Sequence, residues 1–68
     1  MEEIYKGYEI VARTAASLDG VGWTPVFTIS NERGAIVHEG HVEGPFEYDE
    51  AFPAAAAAAR QWIDQQTS

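Results

Sequence analysis

The stretch from Asp49 to Gln66, DEAFPAAAAAARQWIDQQ, decides the fold, because its period, composition and end signals all give one answer. It reads as a helix. Ala51, Phe52, Ala55, Ala58, Ala59, Trp62 and Ile63 recur at i, i+3, i+4 and i+7 and so form one apolar stripe that must be buried. Glu50, Ala54, Ala57, Arg60, Gln61 and Asp64 fall on the other side, where alanine keeps helix propensity high and the polar groups stay in water. Small alanines on the inner side let the helix approach a sheet closely, and Trp62 with Ile63 adds bulk at the C-terminal end. Asp49 is the expected N-cap, with Glu47 and Glu50 well placed at the positive end of the helix dipole. Pro53 then falls in the fourth helical position; a helix beginning at Pro53 itself is the other reading. Arg60 and Asp64 are spaced to pair along the helix.

Working outward, the residues before the helix read as a sheet built to receive it. Tyr5 to Ala16 is strand-compatible, with Tyr8, Ile10 and Ala12 on one face and Glu9, Val11 and Arg13 on the other. Ser17 to Gly22, SLDGVG, breaks that pattern and reads as a hairpin loop; it lacks the Lys-Ser/Thr pair of a phosphate-binding loop. Trp23 to Ser30 alternates cleanly, with Trp23, Pro25, Phe27 and Ile29 on one side and Thr24, Val26, Thr28 and Ser30 on the other. Asn31 to Gly34 closes a tight connection to a third strand, Ala35 to Val42, where the alternation is poor and Gly40 suggests a bulge. The expected fold is therefore α+β: a three-stranded antiparallel β-meander with one C-terminal helix packed across one face. Its core should hold Tyr8, Ile10, Ala12, Trp23, Phe27, Ile29, Ile36, Phe46, Ala55, Ala59, Trp62 and Ile63.

The 68 residues form one domain, 1–68, of a size at which a single core gives about 3 to 5 kcal/mol unless association helps. With no cysteine there is no disulfide, no thiolate nucleophile and no cysteine-ligated zinc. The opening MEEIYKG has no basic region followed by an apolar run, and no stretch is apolar enough for a membrane span, so the expected location is cytoplasmic. Eleven acids against four bases, a net charge of -7, oppose nucleic-acid binding through phosphates and favour solubility or a basic protein partner.

Few residues invite chemistry. His38 and His41 flank Glu39-Gly40, but positions three apart on a strand point to opposite faces, so ordinary strand histidines are expected rather than a metal site. Ser17, Ser30 and Ser68 lie outside any nucleophile elbow, and no His-acid pair is legible beside them. Neither an enzyme nor a cofactor is expected.

Tyr5-Lys6-Gly7-Tyr8, the run Trp23 to Ile29 and Ala59-Arg60-Gln61-Trp62-Ile63-Asp64 together resemble small bacterial proteins of unknown function. Those share a tyrosine-rich first strand, a Trp-x-Pro-x-aromatic-x-Ile second strand and an Ala-Arg-x-Trp-Ile-Asp helix end. That resemblance implies the strand-strand-strand-helix order and carries no catalytic residue with it. A looser, topological resemblance is to the HicB-type antitoxins, through the aromatic-led second strand and Asp49-Glu50-Ala51 at the helix start; their Pro-Asp-Leu-Pro-Gly-Cys type segment is absent. The double-stranded-RNA-binding domain shares the element order too, but carries lysines where this chain has Glu47, Asp49 and Glu50.

One helix covers one face of a sheet, which leaves Tyr5, Val11, Val26 and Val37 on a mixed outer face. The functional expectation is a noncatalytic protein-interaction module that self-associates as a homodimer through that face or an edge strand. The alternative is an antitoxin-like or nucleic-acid-mimicking acidic inhibitor of a basic protein partner.

Overall fold

The computed structural model describes residues 1–67. It is α+β, an antiparallel sheet with one C-terminal helix, but the sheet has four strands where three are expected from the sequence. They are β1 (Glu2–Tyr5), β2 (Tyr8–Ala16), β3 (Trp23–Ser30) and β4 (Ile36–His41), followed by α1 (Tyr48–Thr67). The spatial order is β1-β2-β3-β4, a simple meander. The added strand arises because Lys6 and Gly7 both take positive φ, 50° and 84°, and so fold the first expected strand into a two-residue hairpin. Positive φ at lysine is unusual, and its ammonium is held by Asp64 of the helix at 2.7 Å.

Register assigns each paired strand residue to a side. On the helix side the cross-strand rows are Glu3-Ile10-Ile29-His38 and Ala12-Phe27-Gly40, with Tyr5 opposite Tyr8. Ile10, Ala12, Phe27 and Ile29 meet Ala55, Ala56, Ala59 and Ile63 in one core, with Tyr5, Tyr8, Ala58 and Trp62 packed at its border. The alanines thus do what small residues allow, bringing α1 close against β2 and β3. Trp23 and Phe46, expected in that core, are half-buried in a neighbouring cluster. There Trp23 and Phe46 exchange two backbone hydrogen bonds, of 3.0 and 3.1 Å, and Tyr48 sets its ring edge-on to Trp23 and Phe52.

Four further expectations are corrected. Ile36 is 59% exposed rather than buried, because β4 slips by one residue between its pairings with Ile29 and Ser30. That shift sets Ile36 opposite Ser30, on the side away from the helix, so the bulge lies at Ile36-Val37 and not at Gly40. The helix begins at Tyr48, with the Glu47 carbonyl accepting from the Glu50 and Ala51 amides, so Glu47 and not Asp49 occupies the cap position. Pro53 lies inside the helix, where it supplies no hydrogen bond to the Asp49 carbonyl. Finally, Arg60 and Asp64 do not pair with each other. Arg60 reaches Glu3 at 2.7 Å and Asp64 reaches Lys6, because β1 and its turn lie beside this end of the helix.

The Asp64 cluster gives a pH signature. Asp64 accepts from Lys6 and from the Tyr5 hydroxyl, at 2.7 and 2.9 Å, and these two bonds hold its carboxyl below its ordinary value of 3.8. A carboxyl depressed in the folded state contributes stability that is present above the unfolded value and lost as pH falls through the folded one. Tyr5 and Lys6 are both raised, chiefly by their bonds to Asp64, from 10.0 and 10.5, so their contribution is present below those values and lost as pH rises past them. In melts across pH, Asp64→Asn is expected to lose less stability than the native chain on acidification below 3.8. The pairs are solvent-screened, so the difference at neutral pH is small.

Candidate functional site

The side of the sheet away from α1 is the candidate site, because among the described residues no second layer covers it. Its rows are Glu2-Val11-Thr28-Glu39, Ile4-Glu9-Ser30-Ile36 and Arg13-Val26-His41. Each sets apolar side chains among charged or polar ones. The centre of the face is polar and well packed: Thr28 and Ser30 are buried, and the Arg13 guanidinium donates to the Thr28 hydroxyl at 3.0 Å. The larger apolar groups stand toward the edges, with Ile4 71%, Ile36 59% and Val37 42% exposed.

Of the four residues expected on this face, Val11 and Val26 lie on it and are half-buried. Val37 is the extra residue of the β4 bulge and is exposed. Tyr5 is elsewhere. It opposes Tyr8 on the helix side and its hydroxyl donates to Asp64, since the hairpin at Lys6-Gly7 reverses the chain just after it. In its place β1 brings Ile4, which could be found only by recognising that hairpin. Ile36 also joins the face, through a slip that no alternation pattern announces.

No protein-family model, curated protein or solved structure matches the chain.

The remaining chemistry-bearing groups are separated by the fold. His38 opposes Ile29 on the helix side and stacks on Trp62, ring centroids 4.5 Å apart and planes within 6°. His41 opposes Val26 on the open side and meets Glu43 at 3.3 Å. Among the described residues no three His, Cys, Asp or Glu side chains stand close enough to hold a metal ion. Ser17 shares a hydrogen bond with Thr24 at 3.1 Å, Ser30 is buried in the sheet, and Ser68 lies outside the described residues. Among the described residues no helix is long and apolar enough to cross a membrane.

Proposed function

We propose that the protein is a noncatalytic interaction module that self-associates through the open face of its sheet. The observation that carries this reading is the set of exposed apolar side chains, Ile4, Ile36 and Val37, beside Val11 and Val26 on a face that α1 leaves uncovered. A sheet edge adds to it, because β4 is paired on one side only and carries two of those residues. A second copy is the favoured occupant because a small domain gains most from burying such a face against its own equivalent, the two-fold arrangement being self-complementary.

The geometry bounds the strength of this association. A four-stranded sheet is roughly 19 Å wide at about 4.8 Å between strands, so two faces together bury at most about 1,200 Å², the transient end of the range. Each face also carries Glu2, Glu9 and Glu39 against Arg13, so two copies repel at long range and salt strengthens their association.

Sedimentation equilibrium with the double variant Ile36→Gln and Val37→Gln tests the reading. Both positions are exposed, so the fold is kept, and the net charge is unchanged. Association is expected to weaken by roughly tenfold or more. An unchanged self-association constant would move the contact away from this face, and a monomer at every concentration and salt would remove the reading.

A further inference from the structure

The opposite end of the sheet from Ile4 and Ile36 holds a second exposed apolar feature, in the loop joining β2 to β3. Leu18 there is fully exposed and Val21 is 59% exposed. The loop is held in shape by its own bonds: Gly20 donates to the Ser17 carbonyl at 3.0 Å and Val21 to the Asp19 carboxylate at 2.9 Å. It is also fixed against the segment before the helix. A side chain at Gly22, where φ is +71°, would place its first carbon 2.5 Å from Pro45.

Two clefts flank this contact, and Val21 and Pro45 line both, so they form a ridge between them. One cleft, of about 550 Å³, also takes in Leu18, Asp19 and Glu43. The other, of about 490 Å³, takes in Trp23, Glu47 and Glu50. Among the described residues no Lys or Arg lines either cleft; the first also takes in His41, which meets Glu43 at 3.3 Å. Three of the chain's bases are engaged elsewhere: Lys6 with Asp64, Arg60 with Glu3 and Arg13 with Thr28. The fourth, Arg33, lies in the turn at the far end of β3.

We propose that the Leu18–Val21–Pro45 ridge with its two clefts is a docking surface for a basic amphipathic segment of a partner protein. Apolar side chains of that segment rest on the ridge, and its Lys or Arg groups lie over Asp19, Glu43, Glu47 and Glu50. Charge complementarity selects this occupant. A second copy would bring four carboxylates against four, and a nucleic acid would bring phosphates, both of the repelled sign. The surface adjoins the end of the open sheet face, where His41 lines the first cleft, but its proposal rests on the loop and the acidic groups and does not depend on the self-association reading.

The test is a titration of backbone amide shifts with a short synthetic peptide of alternating lysine and leucine, beside one of alternating lysine and serine. The lysine–leucine peptide is expected to shift residues 17–22 and 43–50, with an affinity that falls as salt rises. Leu18→Ser, at a position too exposed to affect folding, is expected to weaken it by roughly tenfold, and Val21→Ser to weaken it in the same direction. Shifts spread over the whole acidic surface, equal binding of the two peptides, or an affinity indifferent to both substitutions would overturn the proposal.

Discussion

Replacing Ile29 with alanine is expected to leave a large fraction of the protein unfolded at room temperature. Ile29 is fully buried, lies between Ile10 and His38 in its row, and belongs to the cluster that receives α1. Removing its branched side chain costs roughly 2 to 5 kcal/mol through lost transfer energy and the cavity left behind. A domain of this size holds only about 3 to 5 kcal/mol in total. Urea melts followed by circular dichroism check the expectation. Val37→Thr, at an exposed position of β4, serves as the control, with a change within about 0.5 kcal/mol.

Gly40→Val is expected to destabilise the fold nearly as strongly, for the opposite reason. Gly40 opposes Phe27, and a side chain there would start 2.6 Å from the Phe27 Cζ and 3.1 Å from Cε1. The Phe27 ring cannot swing aside freely, since it is 5% exposed and sits 5.8 Å from the His38 ring. Overpacking of this kind costs about 1 to 3 kcal/mol, and the two further methyl groups of valine place it at the upper end. Gly34→Ala gives the comparison. Its added carbon meets nothing within 4 Å, so the cost there is only the strain an alanine takes on at a φ of +83°. A Gly40→Val protein as stable as the native chain would mean that Phe27 does not lie over this glycine.

These two positions mark how far the sequence could be read. Ile29 was legible because β3 alternates without interruption, and the same alternation places Phe27 inside and Val26 outside. The stripe of α1 was legible from its helical period, and Ala56, which is buried, lies on it too, four residues after Phe52 and three before Ala59. Gly40 was legible only as an irregularity. What it accommodates is an aromatic ring from another strand, a fact about pairing that no local pattern carries.

The β1 hairpin was missed for a physical reason. Two-residue turns with positive φ are usually announced by Asn-Gly or Asp-Gly, whereas here the first position is lysine. Its strained conformation is held by the ion pair to Asp64, far along the chain. Without β1, Arg60 and Asp64 had only each other, and Tyr5 appeared on the wrong side of the sheet. The candidate face was therefore half legible: Val11 and Val26 follow from alternation, while Ile4 and Ile36 depend on a turn and a bulge. Chemistry that appeared crowded in His38-Glu39-Gly40-His41 is split by the pleat, one imidazole going to each side.

The most direct measurement of self-association through the open face is a dilution series of backbone amide shifts at high salt. Self-association through the sheet gives concentration-dependent shifts at Ile4, Val11, Val26, Ile36 and Val37, with Ala57 and Gln61 on the outer side of α1 unmoved. Shifts confined to the helix, or a spectrum that does not change with concentration at any salt, would contradict it.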